Sequence, residues 1–152
     1  MSAVTKWLPM FAAGLVVLHT QPASAQTLNV SGNPGLLRIS STIAGSEPIA
    51  VSNAATTYTV TTGNPNRLHR ISARLSAPMP LGVTLTATLA APPSATSLGP
   101  VALDGTDRDV VTNIPRRTTA TQSITYILSA TVAAGVIPNS SRTVTLTIAQ
   151  QP

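Results

Sequence analysis

The side chains able to do acid–base or ligand chemistry are few, and most of them stand in one place. Of four carboxylates in 152 residues, three, Asp104, Asp107 and Asp109, fall in the run DGTDRD. Calcium is a hard cation that takes carboxylate and carbonyl oxygens, and acidic turns of β-proteins can supply them. The spacing is not that of a twelve-residue helix–loop–helix calcium loop, and Arg108 stands among the acids. The leading expectation is therefore a solvated turn set by Asp104-Gly105. A calcium site at Asp104, Asp107 and Asp109 is the alternative. A carboxylate pair for glycoside cleavage would have to come from these three and Glu47.

Beyond residue 25 there is one histidine, His69, and the chain has no cysteine. A transition-metal site with two or more His or Cys ligands is thereby excluded within one chain. His69 lies in the run RLHR, where neighbouring guanidinium groups should depress its pKa, a poor setting for a base oriented by a carboxylate. There is no G-x-S-x-G elbow. With no nucleophile, base and orienter to assemble, the sequence predicts no enzyme and no cofactor. The GNPN run at residues 63–66 reads as a turn and not a phosphate cradle. The sequons Asn29-Val30-Ser31 and Asn139-Ser140-Ser141 read as chance matches. Tyr58 and Tyr126 fall in apolar alternation, so they read as core and not as sugar-stacking platforms.

The elements that position these residues begin after a leader. Lys6 precedes an apolar run at 7–18 (WLPMFAAGLVVL), and a polar stretch ends at Ala23-Ser24-Ala25. This is the pattern of a cleavable signal peptide over 1–25, too short to span a bilayer, which needs about 20 apolar residues. No other run is long enough to cross a membrane. The expected product is a secreted protein, periplasmic, surface-bound or extracellular, with one domain over 26–152. Its basic residues are all arginine. Arg67, Arg70 and Arg74 cluster, and Arg116-Arg117 form a pair. Without a dense patch or stacking aromatics, no nucleic-acid partner is predicted.

Thr, Val, Ile and Leu alternate in short runs separated by proline-rich breaks, which predicts an all-β chain. Runs are expected at 27–30, 36–40, 49–52, 56–62, 68–75, 83–89, 101–103, 109–114, 124–130 and 143–148, with 91–97 a proline-rich loop. In 68–75, His69, Ile71, Ala73 and Leu75 should share one face. About seven to nine such strands predict an Ig-like antiparallel β-sandwich. The last two, around a Gly/Pro/Asn/Ser turn, read as a closing hairpin.

The C-terminal half carries a resemblance. Gly99-Pro100-Val101-Ala102-Leu103, Asp109-Val110-Val111-Thr112-Asn113-Ile114, Ile124-Thr125-Tyr126 and the Arg142-Thr143-Val144-Thr145-Leu146-Thr147-Ile148 run resemble bacterial secreted pilin-like proteins of the spore coat U and chaperone–usher fimbrial-subunit group. The likeness covers about residues 98–149 and lies in fold-type motifs. The cysteines of many such subunits are missing, and Gly135 is not followed by their usual tyrosine. The resemblance implies an Ig-like fold, surface or filament assembly, and in some members exchange of a strand between subunits. The expected function is a structural or adhesive role at the bacterial surface, with self-association or another surface protein engaged through sheet edges. A small carbohydrate- or calcium-binding module using the 104–109 loop is the alternative.

Overall fold

Alternation of period two puts one set of side chains on each face of an extended strand. The computed structural model, which describes residues 26–41, 43, 45–63 and 66–152, shows how the alternation is used. The expected signal peptide and the centre of the GNPN turn (Asn64 and Pro65) lie outside the described residues. The strands are β1 (Thr27–Ser31), β2 (Val51–Thr61), β3 (His69–Leu75), β4 (Val83–Leu89), β5 (Thr96–Ser97), β6 (Val101–Ala102), β7 (Arg108–Ile114), β8 (Thr119–Ala130) and β9 (Val144–Gln150). One sheet has the order β1-β2-β8-β4-β6 and the other β5-β7-β3-β9. Every pairing is antiparallel. The chain is an all-β sandwich, as its sequence predicts.

The two inner faces make the core. In β3, His69, Ile71, Ala73 and Leu75 are buried together, and Tyr58 and Val60 of β2, Leu85, Ala87 and Leu89 of β4, and Ile124 and Tyr126 of β8 face them. Burying an Ile, Leu or Phe-sized side chain stabilises by about 1.5–3 kcal/mol, so this cluster substitutes for the disulfides the chain lacks. The intervening threonines meet solvent.

Bulges adjust both sheets. The register of β2 against β8 shifts between Asn53 and Thr56, and the Asn53 Oδ1 accepts the Ala55 N–H at 2.8 Å. That bond carries the strand through the irregularity, so the two runs expected at 49–52 and 56–62 form one strand. The β3–β7 register shifts twice, which lets the consecutive Val110 and Val111 both be buried.

Three expectations are corrected. Residues 36–40 keep the alternation, with Leu37 and Ile39 half-buried, but pair with no strand among the described residues. The 91–97 loop contains the start of sheet pairing, because Thr96–Ser97 lies against Thr112 and Val111 of β7. The closing hairpin does not form. Both edges of β8 are already taken, by β2 and β4, so β9 crosses to the other sheet and pairs with β3. The link passes through a 3-10 turn, Val132–Ala134. The inward residues of β8 and β9 still face the same core, across the sandwich and not along a shared ladder.

Candidate functional site

The acidic loop joins the two sheets, since β6 pairs with β4 and β7 with β3. Its first acid is held locally. Asp104 Oδ1 accepts the Thr106 N–H at 2.8 Å and the Thr106 hydroxyl, and Asp104 Oδ2 receives Arg108 Nη2 at 2.5 Å. The hydrogen bond from Arg108 and those from Thr106 hold the Asp104 carboxyl well below the usual range. Asp107 lies 3.9 Å from Arg74 Nε, and Asp109 lies 3.0 Å from Arg70 Nη1. Each acid therefore turns to a different guanidinium. No group of three His, Cys, Asp or Glu is placed to hold a metal among the described residues. At Asp104 the side chain accepts the N–H two residues on, an Asx-type turn, and the turn leads from one sheet to the other.

These pairings also divide the arginine cluster. Arg70 and Arg74 are matched to acids on β7 and the loop before it, while Arg67 lies with Arg116 around a shallow depression lined by Asn66, Leu68 and Pro115. That juxtaposition of two loops was not readable from spacing, because the residues are far apart in sequence.

His69 is 1% exposed, and its Nδ1 has no hydrogen-bond partner among the described residues. Burial lowers its pKa. The direction agrees with the sequence expectation, but the cause is desolvation and not neighbouring guanidinium charge. Tyr58 and Tyr126 are core residues, and burial raises both phenols, Tyr58 to about 12.

The longest exposed strand edge among the described residues is that of β9. Of the four edge strands among the described residues, β5 and β6 are two residues long and β1 is five. Strand β9 has seven residues and, among the described residues, pairs on one side only. The N–H of Gln151 donates to Leu68 and that of Ser76 to Thr143. By antiparallel alternation, the odd-numbered residues of β9 face β3, and Val144, Leu146 and Ile148 direct their backbone groups outward. The side chains of these three pack on the core but stay half-buried, whereas Ile71, Ala73 and Leu75 beside them are at most 2% exposed. On the opposing sheet, β1 covers only Thr57–Thr61 of β2. The result is a seam between β9 and the β1 side of the sandwich, with Leu28 of β1 also half-buried along it.

No family model and no curated protein matches the chain. Among solved structures, its backbone is similar to one described as a chaperone–usher pilus that reveals the molecular basis of rod uncoiling. That likeness has a TM-score of 0.48 and 12% identity, and covers 97% of this chain and 100% of the other. A second similar structure is the P pilus rod subunit PapA, with a TM-score of 0.41 and 12% identity over 82% of this chain and 99% of that one. No helix among the described residues is long and apolar enough to cross a membrane.

Proposed function

We propose that this protein is a secreted, non-enzymatic β-sandwich with a structural or adhesive role at a bacterial surface, engaging a second copy or another surface protein through β9. The supporting observation is the edge itself. Along the seven residues of β9, Val144, Leu146, Ile148 and Gln150 direct backbone donors and acceptors outward with no strand beside them among the described residues, above the half-buried side chains of Val144, Leu146 and Ile148. Strand addition to such an edge supplies main-chain hydrogen bonds and apolar pockets together. Secretion rests on the leader-like pattern of residues 1–25.

The test uses the chain from Gln26 onward. Light scattering across a concentration series should show association. Gln150→Pro removes an outward N–H and leaves the odd-numbered ladder to β3 in place. Ile148→Lys puts a charge on the inward side of the edge. Both should reduce association while the β-sheet circular dichroism spectrum is kept. A strict monomer at every concentration, together with failure to capture any β-strand peptide at β9, would refute the proposal.

A further inference from the structure

Cleavage behind Ala23-Ser24-Ala25 makes Gln26 the first residue of the exported chain. Its α-nitrogen then changes from a neutral peptide N–H to a free amine. Glutamine carries an amide carbon that can close a five-membered ring onto its own α-nitrogen, and such a reaction needs no second molecule to arrive. The rest of the chain adds a consequence: its single lysine is Lys6, so after cleavage the only primary amine in the protein is the one at Gln26.

The fold holds this residue in an unsettled position. Gln26 directly precedes β1, whose first residue, Thr27, stands opposite Thr61 of β2. Its side chain lies against the protein and is not stretched into solvent. The residue is half-buried, and its Oε1 is buried with no hydrogen-bond partner among the described residues. A covered acceptor without a donor is costly to keep. The four carboxylate side chains are engaged with other groups. Asp104, Asp107 and Asp109 face Arg108, Arg74 and Arg70, and Glu47 accepts the Val132 N–H.

From these features we infer that Gln26 is a modification site, which closes to pyroglutamate once the leader is removed. This rests on the secretion proposed above. The neutral α-amine attacks the side-chain Cδ and a new C–N bond forms. The Cδ–Nε2 bond breaks, and Nε2 leaves as ammonia with a proton from the attacking amine. No oxidant, reductant or second substrate is used. Closure draws Cδ back to the backbone and takes its oxygen out of the place where it lacks a donor. It also replaces a terminal ammonium by a neutral lactam, so the protein carries one positive charge fewer and no primary amine at all. Its first residue is then closed to enzymes that require a free terminal amine.

The experiment produces the full 152-residue chain with its leader in a secreting bacterium and purifies the exported protein. Tandem mass spectrometry should place the first residue at Gln26, with a mass lower by one ammonia than that of residues 26–152. An amine-reactive dye should leave this product unlabelled. Gln26→Ala should be cut at the same bond, keep its full mass and take up a single dye. Any freshly exported open form should lose its dye site and one ammonia together on incubation, and should melt below the closed form. A product that begins at Gln26 but keeps its amine and full mass through prolonged incubation overturns the inference and leaves secretion standing. An exported product cut at another bond overturns the site alone, and a chain that retains residues 1–25 overturns both readings. Equal loss of ammonia from Gln26→Ala would trace the reaction to a different amide and overturn the inference as well.

Discussion

The Tyr58 hydroxyl donates to the Ala90 carbonyl at 2.5 Å, tying the middle of β2 to the chain just past the end of β4. The two strands do not pair, because β8 runs between them. The bond thus fixes the width of the five-stranded sheet from inside the core. Tyr58→Phe leaves the Ala90 carbonyl without this donor and should cost about 1–3 kcal/mol. The check is a urea titration, in which the midpoint should fall at unchanged slope.

The same tyrosine predicts alkaline behaviour. Its native pKa is raised to about 12 by burial, against about 10 in an unfolded chain. A raised native value means that the unfolded chain releases its proton first. The stabilisation is complete below pH 10 and is lost as pH rises towards 12. Unfolding midpoints measured across that range should decline, and Tyr58→Phe should flatten the decline.

His69 gives the opposite sign at the acidic side. Its native pKa lies below the ordinary 6.5, so the unfolded chain takes up the proton first. Stability should be full above pH 6.5 and should fall as pH drops through the lowered native value. His69→Phe should remove that slope; an unchanged slope would show that His69 is not its source.

Two threonines of one strand and its continuation predict opposite outcomes for one substitution. Thr56 is buried and its hydroxyl has no partner among the described residues, so Thr56→Val should stabilise by about 1 kcal/mol. Thr62 is equally buried, but its hydroxyl serves both Pro115 and Thr118. Thr62→Val should destabilise by about 1–3 kcal/mol. Chemical denaturation of the two variants side by side checks the sign.

Gly32 sits at φ +84, and a Cβ there would lie 2.5 Å from the Ala55 carbonyl oxygen. Gly32→Ala should cost roughly 1–3 kcal/mol or more, from backbone strain and from displacing the β2 bulge. Gly105 has open space around it and no positive φ, so Gly105→Ala should stay within about 0.5 kcal/mol. Thermal melts of both variants make the comparison.

What could be read in advance was whatever repeats with period two. The inward set His69, Ile71, Ala73 and Leu75 and the core places of Tyr58 and Tyr126 follow from alternation alone. Partnership between strands does not. β8 and β9 both alternate, yet nothing in their side chains says that β8 has two neighbours already, and so the expected hairpin was a crossover. Residues 36–40 alternate as well as any strand but lack an available ladder. In the acidic run, Asp104, Asp107 and Asp109 are close in sequence, but strand geometry turns them to Arg108, Arg74 and Arg70. That Arg67 and Arg116 line one depression depends on the approach of two distant loops, for which local pattern has no signal.

The pairing of β9 with β3 carries a consequence for how the chain reaches its native state. Val144 must find Leu75 after β4 to β8 have all been made, and such remote closures are slow to form. Until then one whole side of β3 is bare. Any extended segment with the right alternation that arrives sooner can occupy the position intended for β9. The rate of this final docking, followed by pulse-labelling amide exchange at residues 69–75, would set how long a newly made chain stays vulnerable to that competition.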